Sequence, residues 1–531
     1  MHWFLGGTTL PVGADALENA AANGHLELLR LLLTRMPETR QLTTDVMNSA
    51  ARHGHLDVVQ FLDQQPRQSC TTEAMDGAAK HGHLEVVRFL HQNRSEGCTT
   101  KAMDEAARSG HLEIVMFLHE HRDEGCTTDA IDDAAGSGHL DIVEFLHEIR
   151  AEGCTTKALD NAAGEGHLEI VKFLHARRTE SWAHVAIDKA ALGGHLDVVR
   201  YLHTSNAPCS TLAMDGAALR GHLDVVKFLH NNRAEGCTMV AMDGAAANGH
   251  LEVVRFLHKN RSEGCTTDAM DAAAARGHMT VVGFLHHHRQ EGCTRRAMSA
   301  AACFGKVTMV RFLHRQRTEG CSADAVERAL GNGYIKVARY LLNHKLCSYC
   351  GTDAVEFAAK WGRLDTMRYL HEIRKERWTT DIMNIAASNG HLHIVKFLHE
   401  NRTEGCTKIA MHAAAKNGHF KVVKFLHEHR SEGCYHNTLE EAAANGYLRI
   451  VRFLHERRIE GIPTKAAYKA AKRGHLHVLR YFVTDCGIQC SVPPRALHWY
   501  RYPRMKQFVQ EHFNSSGELL ECNMITLERS T

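Results

Sequence analysis

The chain has 531 residues, of which 44% are apolar and 23% charged, and its formal net charge is +2. No apolar run approaches the ~18 residues needed to cross a bilayer. The N-terminus lacks the basic start and long apolar core of a signal peptide, so neither a membrane span nor secretion is expected. Length alone suggests several globular domains, but an internal repeat overrides that prior.

Seventeen glycines, from Gly24 through Gly110 to Gly474, recur every 28 residues with a few slips of one or two. A period in this range marks stacked units that bury one continuous core. The expected organisation is a solenoid over residues 1–483, with the first unit a cap. A degenerate closing unit and C-terminal tail follow over 484–531, opened by Pro493 and Pro494 and carrying Trp499, Tyr500 and Tyr502.

One unit, Thr99–Cys126, stands for the rest. Thr100 is placed to cap a short helix. Met103, Ala106 and Ala107, at i, i+3 and i+4, give that helix an apolar face, small enough for a neighbouring helix to come close. Gly110 ends the helix in the left-handed conformation glycine favours. A second helix is expected from about His111 to Arg122, with Leu112, Ile114, Val115, Phe117 and Leu118 covering a wide arc and Arg122 complementing the helix dipole. Cys126 returns to the core. The stretch from Ala301 to Trp378 departs from the pattern and is where a bend or an irregular surface is expected.

The run A-A-R-S-G-H-L-E-I-V-M-F-L resembles the A-A-x-x-G-H-x-x-V-V-x-x-L-L core of ankyrin repeats, and the resemblance extends from about Asp15 to Val483. It implies an all-α, ankyrin-type solenoid of helix-turn-helix units. The usual T-P-L-H opening is replaced by Lys101-Ala102-Met103-Asp104. The shortfall from 33 residues to 28 falls in the connection, too short for the projecting β-hairpin fingers of the family. The resemblance further implies a non-catalytic scaffold that binds a protein partner on the concave face lined by first helices. Carried onto this chain, the variable positions flanking the alanine pair are Lys80, Glu105, Arg108, Asp133, Asn161, Lys189, Arg220, Arg276, Phe304, Lys360, Trp361, Lys416, Lys472 and Arg473.

Thirteen of the 17 cysteines share one slot, which elsewhere holds Leu42, Trp182, Trp378 and Ile462. A ligand position does not accept tryptophan, whereas a small apolar core position accepts free cysteine. So many unpaired thiols favour a reducing compartment, hence an intracellular protein, cytoplasmic or nuclear. Histidine concentrates in two slots, one after the hinge glycine and one ending F-L-H, and hydrogen bonding across the turn is its expected role. His286-His287-His288 and Cys347-Ser-Tyr-Cys350 lack the spacing of a zinc site. No phosphate-binding loop or nucleophile elbow appears. Neither catalysis nor a cofactor is expected.

Charge is unevenly spread: residues 1–270 carry 24 Lys and Arg against 37 Asp and Glu, and the remainder carries 39 against 24. Two slots drive this. Three residues after each hinge glycine, acids such as Glu113 and Asp197 give way to Thr280, Lys336, Lys421 and Arg449. In mid first helix, a run of aspartates from Asp76 to Asp271 gives way to Ser299, Glu327, Glu356, Asn384, His412, Glu440 and Tyr468. Alternatives to the protein scaffold are therefore polyanion or nucleic-acid binding by the basic C-terminal half, or salt-sensitive self-association of the two halves, although a monomer is expected. Against nucleic acid, the basic residues lack the interleaved aromatics or groove-reading motif of a dedicated module.

Overall fold

The computed structural model describes residues 14–34, 43–65, 69–177, 184–346, 353–373, 378–457, 461–488 and 508. Among them are 34 α-helices and one π-helical turn, Tyr481–Asp485, with no strand. Short first and second helices alternate throughout, as the period requires. The chain divides into two compact units. The N-terminal unit comprises Met1–Ala273 with His278–Gly292, and the C-terminal unit comprises Ala274–Gly277 with Cys293–Thr531. Of the expected closing unit and tail, only residues 484–488 and Phe508 are described. Phe508 is buried, with the Arg480 guanidinium 5.7 Å from its ring centre.

In the repeat around Gly110 the first helix is Thr100–Arg108. Its cap is Thr99, one residue earlier than expected. Extended backbone there aims the hydroxyl at the Lys101 N–H, which it accepts at 3.2 Å. Ala102, Met103, Ala106 and Ala107 are buried. Gly110 has φ +83°, and a Cβ on it would lie 2.5 Å from Cε1 of His139 in the next repeat. Glycine is thus required twice, for backbone conformation and for that ring.

The second helix is Leu112–His121 and buries Ile114, Val115 and Leu118. Arg122 is not in its last turn. It lies just beyond, in extended backbone, where its guanidinium pairs with Glu124 of the same loop rather than with the helix dipole. Six residues, 94–99, join the preceding second helix, Leu84–Asn93, to Thr100. That is enough for a loop and too little for a hairpin.

Three side-chain devices recur between neighbouring repeats. The mid-helix aspartate accepts from the following cap threonine: Asp76 takes the Thr99 N–H and hydroxyl, both at 2.8 Å, and Asp215 takes those of Thr238 at 2.8 and 2.7 Å. The F-L-H histidine meets the next repeat's aromatic edge-on, as His91 does Phe117 with ring centres 5.6 Å apart. In the loops, Arg150 pairs with Glu152 and sits over Gly125 of the loop before. Stacking therefore rests on polar bonds and ring contacts as well as on the alanine and aliphatic core.

Candidate functional site

On the first-helix face of the N-terminal unit, five of the residues expected to contact a partner converge. Arg108, Asp133, Asn161, Lys189 and Arg220 line one open groove of about 780 Å³. Its depth comes from small residues outside the expected contact set: Gly136, Ser137, Gly164 and Gly193. Gly136 and Gly164 occupy the slot that holds Lys80 and Arg108 in earlier repeats, and their lack of a side chain is the signal that sequence offers for the groove. At Gly193 a Cβ would stand 2.5 Å from the Gly164 carbonyl oxygen, so these first helices approach backbone to backbone.

The groove wall has mixed charge. Lys189 donates to Asn161 Oδ1 at 2.9 Å. Burial pushes the Asp133 carboxyl above its usual range, and nearby Arg108 opposes that shift. Glu165, His195 and His222 complete the wall. Lys80 and Glu105 lie outside the groove and are joined to each other by an ion pair of 3.1 Å.

The remaining expected contacts belong to the C-terminal unit. Phe304, Lys360, Trp361, Lys416, Lys472 and Arg473 sit at the turn between first and second helices and are exposed there, as is Arg276. Arg473 donates to Asn445 Oδ1 at 2.9 Å.

Two slots change meaning. The mid-helix aspartates look like variable surface positions in the sequence but are staples. Their replacements keep the role: Asn384 Oδ1 accepts the Thr407 N–H at 3.0 Å, Ser299 Oγ accepts the Ser322 N–H at 2.7 Å, and His412 Nδ1 lies 2.9 Å from the Thr438 hydroxyl. Most of that slot's loss of charge is thus a change of hydrogen-bonding group rather than a binding surface. The exception is Asp160, where the chain has Ala183 in place of the cap threonine. Its buried Oδ1 has no hydrogen-bond partner, and burial raises its pKa.

The F-L-H histidines also differ from expectation. Bonding across the turn is not their common feature, since Nδ1 of His91, His203, His230, His258, His371 and His399 is buried without a hydrogen-bond partner. The ring is held by its aromatic neighbour instead. The histidine after the hinge does bond, but to the previous repeat: His55 Nε2 lies 3.0 Å from the Ala22 carbonyl oxygen.

Burial pushes the thiols of Cys70, Cys98, Cys126, Cys209, Cys237, Cys265 and Cys406 up to about 11. Cys321 departs from the expected unpaired state: it is disulfide-bonded, while Cys265 and Cys406 in the same slot are free. The C-x-x-C of residues 347–350 lies outside the described residues. Among the described residues no group of three or more His, Cys, Asp or Glu is gathered as a metal would require, and no helix is long and apolar enough to cross a membrane.

Comparison with known proteins follows the repeat. Family models described as ankyrin repeats match in three copies over residues 75–160 and 383–464, and in many copies over 212–258 and 355–399. No curated protein sequence matches the chain. Among solved structures, the pentatricopeptide repeat protein PPR10 in complex with an 18-nt psaJ RNA element is 11% identical, with a TM-score of 0.35, covering 94% of this chain and 89% of its own. PPR10 from maize is 12% identical with a TM-score of 0.30, covering 98% and 90%.

Proposed function

Since this chain is an ankyrin-repeat protein, we propose that it is a non-catalytic scaffold that binds a protein partner on its first-helix face, with the groove floored by Gly136 and Gly164 as the docking point. The observation that carries this reading is the groove itself. Its wall combines Arg108, Lys189 and Arg220 with Asp133 and Glu165. Arginines on the rim of a recess suit protein recognition, where a few anchors supply most of the binding energy. The adjoining first helices supply the rest of an interface, which needs ~800 Å² per partner.

The test is proximity labelling with the full chain against an Arg108→Glu/Arg220→Glu variant. Both side chains are exposed, so folding should be retained, and circular dichroism checks this. Partners that label the parent but not the variant support the groove. An identical partner set in both excludes it.

A further inference from the structure

The turn between first and second helices differs between the two units, chiefly in the slot three residues after the hinge glycine. In the N-terminal unit a carboxylate stands three residues after the hinge glycine in repeat after repeat, as at Glu113, Asp141 and Asp197, and the turns contain no Phe, Tyr or Trp. Several of these carboxylates neutralise the cation one helical turn on, as Glu169 does Lys172 at 2.7 Å.

In the C-terminal unit the same slot reads Thr308, Lys336, Asp365, His393, Lys421, Arg449 and His477. Lys306 and Arg363 replace the histidine after the hinge, and Lys360, Lys416 and Lys472 stand two residues before the hinge glycine. Asp365 is the one carboxylate among these slots. Glu441, on the adjoining first-helix face, lies near Lys416 and Arg473 and is bonded by Lys469 at 3.1 Å.

Aromatic side chains stand among these cations. Phe304 is 57% exposed, Trp361 58% and Tyr334 40%. The Lys360 ammonium lies 5.7 Å from the Trp361 ring centre, and the Arg449 guanidinium 5.2 Å from that of Phe420. The edge is continuous from repeat to repeat, because the side chain after each hinge covers the previous hinge: Tyr334 over Gly305, His391 over Gly362, Tyr447 over Gly418. The expectation that the basic half lacks interleaved aromatics is therefore corrected. Ring and cation stand within one turn, as Phe304 with Lys306 and Lys360 with Trp361, and stacking brings successive turns onto one edge.

We infer that this edge, from Phe304 to Arg473, is a binding track for single-stranded nucleic acid. Cations at repeat spacing neutralise a phosphate backbone, and exposed rings among them offer stacking platforms to unpaired bases. Duplexes keep their base faces covered and would leave Phe304 and Trp361 unused. The track lies on the C-terminal unit, apart from the groove, so it stands or falls independently of the scaffold reading.

The test is fluorescence anisotropy of the full chain with a labelled oligouridine of roughly 20 nucleotides, alongside a duplex of equal length. Single strands should bind more tightly than the duplex, with affinity falling as salt rises. Lys336→Gln/Lys421→Gln/Arg449→Gln should flatten the salt slope by about 0.7 for each phosphate no longer neutralised. Phe304→Ala/Trp361→Ala should weaken binding roughly tenfold or more with the slope unchanged. Because every substituted side chain is an exposed charge or an exposed ring, circular dichroism should match the parent, and Trp361→Leu serves as a second ring variant. Absence of single-strand binding, equal or tighter duplex binding, or an unaffected ring variant would each overturn the proposal.

Discussion

Thr127 donates its backbone N–H and its hydroxyl to the two carboxylate oxygens of Asp104, at 2.8 and 3.0 Å, so the threonine whose hydroxyl accepts the Asp129 N–H is held by the first helix of the preceding repeat. Burial raises the Asp104 pKa while both Thr127 bonds lower it. The carboxylate therefore serves through bonding geometry rather than through its charge.

That distinction predicts the outcome of two substitutions. Asp104→Ala should cost about 1–2 kcal/mol, the loss of a shared pair of hydrogen bonds. Asp104→Asn should lie within about 0.5 kcal/mol of the parent, because Asn48 and Asn384 already bond Thr71 and Thr407 in this way. Urea unfolding with hydrogen exchange resolves the two, and equal losses would refute the staple.

Asp160 is the same side chain without its partner, and it should behave oppositely. Its folded pKa is raised, so the ionised form is the penalised one and stability is lost as pH rises through the folded value. Asp160→Ala should thus be neutral below pH ~4 and more stable than the parent at pH 7. A melting-temperature difference that does not change with pH would contradict this account.

Histidines give the opposite slope. Burial lowers the pKa of His91 and His258, with Arg122 and Arg289 acting in the same direction. The unfolded chain then binds more protons near pH 6.5, and stability falls on acidification through that value. His258→Phe keeps the edge contact with Phe284 while removing the titration, so its urea midpoint should decline less between pH 7.5 and 5.5.

Buried thiols predict slow chemistry. With Cys98, Cys126 and Cys265 at about 11, almost no thiolate is present at neutral pH. Site-resolved iodoacetamide labelling of native protein should leave these residues largely unmodified and reach them in urea. Rapid native labelling at this slot would show that the loops open.

How much could be read from the residues depends on the distance over which each interaction acts. The 28-residue period, the turn at Gly110 and the buried face of Met103, Ala106 and Ala107 are local, and the sequence by itself determined them through helical spacing and the conformational freedom of glycine. So did the absence of room for a hairpin between second and first helices. Arg122 already shows the limit: the sequence places it beside a helix end, but the loop turns it to Glu124. What Asp104 bonds, why a ring must lie over Gly110, how Gly136 and Gly164 open a groove, and which cations share an edge with Trp361 were decided only by the tertiary structure. Apart from Lys360 beside Trp361, these depend on partners roughly a repeat away along the chain, and stacking alone fixes which side chains of adjacent repeats meet.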